Sequence, residues 1–405
     1  MTRYRPREIG KVIVDALKSM PVVVLSGMRQ AGKSTLLLNQ PQFRNRKYLT
    51  FDDFGALEAA RRNPEGLISD EASLTIDEAQ KCPELLTVIK QKVDRKRAPG
   101  RFLLSGSANF LLLKSVAESL AGRAVYLTLH PFTRREIQDA AKQLPAILYF
   151  INKGVFPKRD TSPISWDEIL TGGMPSVCLG ETQNPAIWFR GYEQTYLERD
   201  IRALSQVADL VSFHNLLQLA ALRNSQVLKQ SELARDAKLN TMTASRYLSL
   251  METSFILYRM PPYLRNQSSR LIKAPKLYLS DTGLTAYLSS IKKSDSDVLF
   301  RGPLLESYVA QNLAGIFSAH SLETRISYWS IQGRYEVDFI IETGREIIAI
   351  EVKNSSHWQE GDLAGIKAFL DSSKTCRAGI LAYNGKEVLK LENKIWAVPI
   401  HVLLS

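Results

Sequence analysis

A glycine-rich loop near the start of the chain carries its clearest chemistry. Gly27 and Gly32 precede Lys33, Ser34 and Thr35 in the spacing G-x-x-x-x-G-K-[ST]. Glycines let the backbone wrap a polyphosphate with its N–H groups, the lysine supplies a point charge for the β- and γ-phosphates, and the next hydroxyl can ligate Mg²⁺. The spacing therefore predicts a nucleoside triphosphate site. The residues expected to hold the nucleotide are Gly27, Gln30, Ala31, Gly32, Lys33, Ser34 and Thr35.

A pair of carboxylates closes a short apolar segment farther along the chain, where Leu74–Ile76 runs directly into Asp77 and Glu78. In phosphoryl-transfer sites the first carboxylate holds Mg²⁺ through water, which predicts that Asp77 shares a metal ion with Ser34. Glu78 would act as the general base and polarise the attacking water. A strand that simply ends in an acidic turn would explain this pair alone, but the upstream glycine loop favours the catalytic interpretation.

These residues need elements that position them. The buried run Val22–Leu25 precedes the glycine loop and the apolar run Leu36–Leu38 follows it, which predicts a strand, a loop and a helix whose positive end points at the phosphates. A further strand, Phe102–Ser107, ends in small hydroxyl residues. An amphipathic helix over 109–120 and a strand at Val125–Leu129 come next. This order predicts a nucleotide-binding core.

Together these segments resemble an AAA-type P-loop ATPase of a bacterial and archaeal family with an uncharacterised, DUF4143-like C-terminal region. The resemblance covers nearly the whole chain and implies an α/β fold. That fold is a P-loop AAA-type parallel-sheet core, then a helical winged helix-turn-helix region and a small α/β nuclease-like domain. ATP and Mg²⁺ are the implied cofactors. The segments that carry the resemblance are Tyr4–Arg7, Gly27–Lys33, Phe51–Asp53, Ile76–Gln80, Leu104–Ser107 and Leu120–Arg123.

The resemblance also assigns two catalytic roles beside those of Lys33 and Glu78. Ser107, with Ser105 as the second choice, matches the polar residue that senses the γ-phosphate, and Arg123 matches an arginine finger that reaches into a neighbouring subunit's site. A guanidinium there would neutralise charge that develops during phosphoryl transfer. The alternative is an arginine that complements a helix dipole. A finger acting in trans requires a homo-oligomer, of which a hexamer is one form.

The middle of the chain has the pattern of a winged helix-turn-helix. Two helical segments, Phe213–Leu222 and Ser231–Ala237, precede a third that Asn240 would cap, and a strand at Phe255–Tyr258 follows. In that fold the third helix enters the DNA major groove. A protein-interaction module is the alternative use of the fold. The side chains that the third helix would present to DNA are Thr241, Thr243, Ser245 and Arg246.

A basic run without acidic residues follows this module. Such a composition, with tyrosines interleaved, is typical of a surface that tracks phosphates and stacks on bases. An interface to an acidic surface of another subunit is the alternative. The residues of the run are Arg259, Arg265, Arg270, Lys273 and Lys276, with Tyr258, Tyr263 and Tyr278 among them.

The C-terminal region combines carboxylates with a lysine on a predicted hairpin. An acidic residue on one strand and Glu-x-Lys on the next is the arrangement of PD-(D/E)xK nucleases, whose carboxylates would bind one or two Mg²⁺ or Mn²⁺ ions and clamp the scissile phosphate. An ordinary pair of exposed cross-strand charges is the alternative. The residues predicted to form this site are Asp338, Glu351 and Lys353, with Glu306 from the preceding helix and Glu336 as a further carboxylate.

Length and composition give the outer frame. A chain of 405 residues suggests two to three domains at roughly 150 residues each. We expect an ATPase core over 1–140, an irregular proline-marked connector over 141–186, the winged helix and basic segment over 187–295, and the nuclease-like domain over 296–405. A formal net charge of +12 favours a polyanionic partner such as DNA, and a generally basic surface is the alternative.

Several classes of protein are disfavoured. No apolar run reaches the ~18 residues that span a bilayer, and the first residues lack the apolar core of a secretory signal. Cys82, Cys178 and Cys376 are far apart and odd in number, which suggests neither a disulfide framework nor a zinc site. We therefore expect a cytoplasmic protein without a membrane partner.

Two functions from different classes fit these features. The first is a Mg²⁺-dependent ATPase that assembles on DNA, with metal-dependent cleavage by the C-terminal domain as its output. The second is an ATP-controlled regulatory switch that binds DNA or protein through an inactive nuclease-like fold. A small-molecule kinase is a distant third, because no segment looks like a lid over an acceptor substrate.

Overall fold

The computed structural model describes residues 4–68, 73–107, 120–197, 209–264, 273–292, 298–320, 323–331, 334–344 and 346–405. The helix predicted over 109–120 lies outside these residues except for Leu120, and so do Arg265 and Arg270 of the basic run. Contacts divide the chain into two compact units. The first runs to Pro131 and includes Thr253–Phe255 and Ser318–His320, and the second holds the rest.

The first unit is built on a parallel sheet, whose described strands lie in the order β2-β3-β4-β1-β5. The strands are β1 Val22–Ser26, β2 Lys47–Thr50, β3 Leu74–Asp77, β4 Phe102–Gly106 and β5 Ala124–Thr128. The helices are α1 Ile9–Ser19, α2 Lys33–Asn39, α3 Phe54–Arg62, α4 Pro64–Leu67 and α5 Pro83–Arg95, with 3₁₀ turns at Pro41–Phe43 and Ala79–Lys81. The parallel-sheet α/β core predicted from the sequence is confirmed.

Alternation along the buried strands gives this sheet two apolar faces, because successive side chains of a strand point to opposite sides. Val24 of β1 belongs to one buried cluster with Leu85 of α5. Val23 belongs to another with Ile13 of α1 and Leu36 of α2. Helices therefore cover both faces of the sheet and leave the carboxyl ends of its strands free to carry a site.

The second unit begins with a helical part that includes a small antiparallel sheet in the order β6-β8-β7. Residues 141–186, expected to be irregular, contain short helices joined by turns. The strands of the helical part are β6 Gln226–Val227, β7 Leu257–Met260 and β8 Lys276–Leu279. Its helices are α6 Arg134–Ile137, α7 Ala146–Lys153, α8 Trp166–Thr171, α9 Pro175–Cys178, α10 Pro185–Tyr192, α11 Leu210–Leu222, α12 Gln230–Asp236, α13 Thr241–Thr253 and α14 Thr282–Leu288, with a π-helical turn at Glu193–Leu197.

Helices α11 to α13 lie close to the bounds predicted for the helix-turn-helix. Phe213 of α11 and Tyr247 of α13 pack edge to face, with ring centroids 5.3 Å apart. Asn240 caps α13, since its side-chain oxygen accepts a hydrogen bond from the Thr243 N–H at 2.8 Å. The predicted strand begins later than expected, because Phe255 adopts a left-handed turn conformation with φ of 58°.

The second unit ends in a mixed sheet in the order β13-β14-β12-β11-β10-β9. Strands β9, β10 and β11 pair antiparallel, and β11, β12 and β14 pair parallel. The strands are β9 Arg325–Ile331, β10 Tyr335–Thr343, β11 Glu346–Lys353, β12 Cys376–Tyr383, β13 Leu389–Lys390 and β14 Ile395–Pro399. The helices are α15 Val298–His320, α16 Ala364–Ser372 and α17 Ile400–Leu403, with a 3₁₀ turn at Glu360–Leu363.

Helix α15 and the sheet share one buried cluster, in which Tyr308 and Val309 lie with Phe339 of β10 and Ile350 of β11. Among the described residues, no helix combines the length and the apolar character that crossing a bilayer requires.

Candidate functional site

The glycine loop lies between the end of β1 and the start of α2, as the sequence predicts. Gly27 has a φ of 151°, and a Cβ on it would lie 2.3 Å from the carbonyl oxygen of Leu129. The loop starts against the chain that follows β5, where the Leu129 N–H donates to the Ser26 carbonyl oxygen at 2.8 Å. This close approach requires glycine at position 27.

Lys33 begins α2 and is only 5% exposed. Its ammonium donates hydrogen bonds to the carbonyl oxygens of Gly27 and Met28, each at 2.9 Å. Burial lowers the pKa of Lys33 to about 8, although the carboxylates of Glu78 and Asp77 act in the opposite direction. A buried cation held by neutral carbonyl groups would gain from an anionic partner. Ser34 and Thr35 follow it on the exposed side of the same helix turn.

Asp77 ends β3 and is fixed by neighbours on both sides. β4 lies between β1 and β3, and the strand register places Ser105 of β4 beside Leu25 of β1. Asp77 Oδ1 accepts hydrogen bonds from the Ser105 hydroxyl and, at 3.1 Å, from the Glu78 N–H. Its Oδ2 accepts from the Tyr48 hydroxyl at 2.8 Å. A carboxylate has about four acceptor positions, so Asp77 retains room for a metal-bound water and fits the predicted Mg²⁺ site.

Glu78 adopts the left-handed conformation, with φ of 55°, immediately after β3. Such strain in a non-glycine residue is typical of functional positions. Glu78 Oε2 accepts a hydrogen bond from Gln80 Nε2 at 2.5 Å, and the same nitrogen lies 3.4 Å from Ser107 Oγ. Gln80 thus links Glu78 with Ser107. Two strand spacings, roughly 10 Å, separate β1 from β3 and leave room for a phosphate and a water between the loop and Glu78.

Arg7 holds the glycine loop through hydrogen bonds to backbone carbonyl groups. Its guanidinium donates to the Ala31 carbonyl oxygen at 2.8 Å and to the His130 carbonyl oxygen at 2.6 Å. Arg7 thereby joins the loop to the chain that follows β5. Arg7 belongs to the segment Tyr4–Arg7 that carries the family resemblance, but no role was predicted for it. Tyr48 was not predicted, because it lies on the edge strand β2 and belongs to no motif.

Arg123 lies at the amino ends of the parallel strands, whereas the glycine loop lies at their carboxyl ends. Arg123 directly precedes β5, whose first residue, Ala124, pairs with Val22 at the start of β1, whereas the loop follows the end of β1. Its Nε and Nη2 donate to the two carboxylate oxygens of Asp94 at 2.6 and 2.8 Å, and Nη1 donates to the Ala121 carbonyl oxygen at 2.8 Å. The structure therefore does not bring Arg123 together with the loop of its own chain.

The first turns of α13 carry the residues predicted to face DNA. Thr241 and Arg246 are exposed, and Thr243 and Ser245 are half-buried. Ala244 and Tyr247 of the same helix are buried, and Tyr247 packs against Phe213 of α11. Part of the basic run behaves differently from the prediction: Tyr258 and Tyr278 stack on each other with centroids 5.5 Å apart, and Tyr278 is fully buried. Tyr278 therefore packs inside the protein and cannot stack on a base, and one face of the half-buried Tyr258 ring is covered by it.

The predicted nuclease-like residues lie together in the second unit. The register that pairs Phe339 with Ile350 sets Asp338 of β10 beside Glu351 of β11. Asp338 Oδ2 accepts from the Val352 N–H at 2.9 Å, and Lys353 Nζ donates to Glu351 Oε1 at 2.8 Å. Glu306 of α15 and Glu336 of β10 belong to the same group, because both contact a lysine side chain that also contacts Asp338.

That shared residue is Lys276, the first residue of β8. Its ammonium lies 3.0 Å from Glu306 Oε1 and 3.4 Å from Asp338 Oδ1, and it also contacts Glu336. Lys276 was expected on an exposed phosphate-tracking surface, but its side chain is only 3% exposed. We call Glu306, Glu336, Asp338, Glu351, Lys276 and Lys353 the acidic site.

Burial dominates the electrostatics of the acidic site. It raises the pKa of Glu306 to about 8 and that of Glu351 to about 8, and in both cases the neighbouring Asp338 adds to the effect. Within the described ranges, no group of three or more histidine, cysteine or acidic side chains is arranged to hold a metal ion. A divalent ion does not fit the acidic site while an ammonium lies between its carboxylates.

The fold and the glycine loop define a P-loop ATPase core in the first unit. An AAA domain family matches residues 19–138, a domain of unknown function, DUF8612, matches 165–295, and a second domain of unknown function, DUF4143, matches 301–403. The chain belongs to the family of AAA-type ATPases that carry a C-terminal DUF4143 domain, and the resemblance seen in the sequence is confirmed.

Full-length relatives support this membership. Uncharacterized proteins of Mycobacterium tuberculosis and Mycobacterium bovis are each 31% identical over 407 residues, which is 98% of this chain and 84% of theirs. An uncharacterized protein of Haemophilus influenzae is 22% identical over 355 residues, 82% of each chain.

Two solved structures show a more distant likeness. A Walker-type ATPase of Pyrococcus abyssi is 16% identical, with a TM-score of 0.46 over 71% of this chain and 97% of that chain. The RuvB Holliday junction branch migration motor of Thermotoga maritima is 16% identical, with a TM-score of 0.29 over 64% of this chain and 93% of that chain.

Proposed function

We propose that this chain is a Mg²⁺-dependent ATPase that assembles on DNA and uses ATP to control how its second unit holds nucleic acid. The observation that carries the proposal is that the loop after β1, Ser107 after β4 and the Asp77–Glu78 pair at the end of β3 all lie at the carboxyl ends of the strands of the parallel sheet. The residues proposed to bind the nucleotide, to act as general base and to sense the γ-phosphate would thus surround one volume.

Lys33 and the loop would bind the triphosphate. The phosphate oxygens would replace the Gly27 and Met28 carbonyl oxygens as partners of the ammonium. Mg²⁺, when bound, neutralises charge on the phosphate oxygens, and Ser34 with Asp77, through water, would hold it. Tyr48 and Ser105 keep the Asp77 carboxylate in one orientation for that purpose.

Glu78 would then accept a proton from the attacking water. The water oxygen forms a bond to the γ-phosphorus while the bond between that phosphorus and the bridging oxygen of the β-phosphate breaks, which releases ADP and phosphate. Gln80 holds Glu78 in the direction of Ser107, where the γ-phosphate would lie. Gln80 is a positioning residue in this mechanism.

DNA contact is supported by the charge of the chain and by helix α13. The net charge is +12, and the first turns of α13 carry two threonines, a serine and an arginine, of which Thr241 and Arg246 are exposed; such side chains can donate to phosphates and base edges. Cleavage by the acidic site stays a prediction: its residues lie together as expected, but Lys276 lies among the carboxylates. The regulatory switch is the form of the proposal that this arrangement favours.

The experiment compares ATP turnover and DNA retention of the native chain with those of Glu78→Gln and of Glu65→Gln, an exposed glutamate of the same unit. Glu78→Gln should bind ATP but hydrolyse it about 10²–10⁴-fold more slowly, and its ATP-bound form should hold DNA with an affinity that falls steeply with salt. Glu65→Gln should match the native chain. Normal ATP turnover by Glu78→Gln would show that Glu78 is not the general base. DNA binding that does not depend on ATP would show that ATP does not control DNA binding.

A further inference from the structure

The acidic site contains its own cation, contributed by a different part of the fold. Carboxylates from α15 and β10 converge on the Lys276 ammonium, with Glu306 Oε1 at 3.0 Å, Asp338 Oδ1 at 3.4 Å and Glu336 in direct contact. Lys276 itself belongs to β8, in the small sheet of the helical part. The lysine and its partners therefore meet only when the helical part and the mixed sheet of the second unit are folded together.

Backbone pairing fixes the position of Lys276. β8 is the middle strand of its sheet, and Lys276 pairs with Val227 of β6 and Met260 of β7. The chain after β7 continues to β9 of the mixed sheet, where Tyr263 N–H donates to the Tyr328 carbonyl oxygen at 2.5 Å. The Lys276 ammonium also lies 5.7 Å from the Tyr328 ring centroid. A lysine held this way is a built part of the site.

The carboxylates of the acidic site surround one central cation, the Lys276 ammonium. Four carboxylates face the two ammonium groups of Lys276 and Lys353, and Lys353 is engaged by Glu351. Carboxylate oxygens are the ligands that Mg²⁺ and Mn²⁺ prefer, so the carboxylates of Glu306 and Asp338, once freed from Lys276, are groups of the kind that would bind a divalent ion. An ammonium and a divalent ion cannot share that position, because two cations a few ångströms apart repel strongly in a buried site.

We propose that Lys276 is the resident cation of the acidic site and that its ammonium excludes a divalent ion from the position between Glu306 and Asp338. The native C-terminal domain is then a metal-free scaffold, and removal of the lysine charge creates a divalent-cation site. This inference concerns the second unit alone and does not rest on the proposed ATP hydrolysis.

The test measures Mn²⁺ binding to the full-length chain without nucleotide, by electron paramagnetic resonance and calorimetry. Lys276→Met, which keeps the apolar stem of the side chain, should bind one more Mn²⁺ ion per chain than the native protein. Lys276→Arg, which keeps the charge, should not. The extra ion should disappear when Asp338→Asn is added to Lys276→Met. A folded Lys276→Met chain without the extra ion would overturn the proposal.

A second measurement needs no change at Lys276, in case its variants fail to fold. The native chain and Asp338→Asn should bind equal amounts of Mn²⁺, because the native acidic site takes none. Mn²⁺ binding that the native chain has and Asp338→Asn lacks would show that Lys276 does not exclude the ion. Lys374→Met, which removes the charge of an exposed lysine just before β12, is the matched control for loss of a lysine charge, and it should leave Mn²⁺ binding unchanged.

Discussion

His130 shows how a single residue of the first unit is held in one charge state. Its side chain is half-buried, Nε2 lies 3.0 Å from Ser318 Oγ, and its carbonyl oxygen accepts from Arg7. Burial lowers the pKa of His130 to about 4, and the Arg7 guanidinium adds to the effect. Because the folded pKa lies below the unfolded value of roughly 6.5, the stability that comes from the neutral ring is present above pH 6.5 and is lost as the pH falls toward 4.

We therefore expect acid to destabilise the chain partly through His130. Between pH 7 and 5 this residue should account for about 2 kcal/mol of the loss in unfolding free energy. Urea unfolding of His130→Gln should show a correspondingly shallower dependence on pH than the native chain, whatever its absolute stability. His357→Gln, a change at an exposed histidine, should keep the native slope. Equal slopes for the native chain and His130→Gln would contradict the assignment.

The residues that the sequence identifies are those whose chemistry lies within one contiguous motif. Lys33 follows the glycine loop directly, and Asp77 and Glu78 end one apolar strand, so local spacing suffices to predict them. Tyr48 holds Asp77 only because β2 pairs with β3. Lys276 meets Glu306 and Asp338 across sequence separations of 30 and 62 residues. No local pattern marks such partners, and a lysine among basic neighbours suggests an exposed surface.

At the scale of elements, the strands of the two sheets were predictable because burial on both faces gives continuous apolar runs and the hairpin strands alternate. The predicted bounds Val22–Leu25 and Phe102–Ser107 differ from the observed strands by one residue. The pairing order was not encoded so locally. β4 lies between β1 and β3, and this arrangement, rather than either motif, sets the distance between the loop and Glu78.

The contact between the glycine loop and the chain after β5 yields a prediction for the loop as an element. In Gly27→Ala the added Cβ would meet the Leu129 carbonyl oxygen at 2.3 Å, a backbone atom that cannot rotate away. The loop must shift, at a cost of about 1–3 kcal/mol, and ATP affinity should fall by about tenfold or more. Fluorescence titration with a labelled ATP analogue measures the loss.

Gly180→Ala is the matched control for this substitution. Gly180 also has a positive φ, 71°, but no atom lies within 4 Å of the position that its Cβ would take. Its replacement should introduce backbone strain without changing ATP affinity. If Gly27→Ala binds ATP as tightly as the native chain, the loop tolerates displacement and its contact with Leu129 does not position the nucleotide.

At the scale of the whole molecule, the proposed role of Arg123 would connect catalysis with assembly. The Arg123 guanidinium is paired with Asp94 at the amino ends of the strands, opposite the end that carries the glycine loop. It can reach a γ-phosphate only in another copy of the chain, through a head-to-tail interface that brings this end of the sheet to a neighbour's loop. If Arg123 serves only as the partner of Asp94, its loss should leave catalysis intact.

Mixing two inactive variants separates these outcomes. Arg123→Ala should lower turnover about 10³-fold, and Lys33→Ala should abolish ATP binding. In mixed assemblies, about a quarter of the sites would combine an intact loop from one variant with an intact Arg123 from the other, so activity should return. Arg97→Ala removes a neighbouring arginine that donates to the Gly122 carbonyl oxygen, and it should remain active alone. If Arg123→Ala hydrolyses ATP at the native rate, Arg123 serves only as a partner of Asp94. If Arg123→Ala is inactive and mixing does not restore activity, Arg123 does not act in a neighbouring subunit's site.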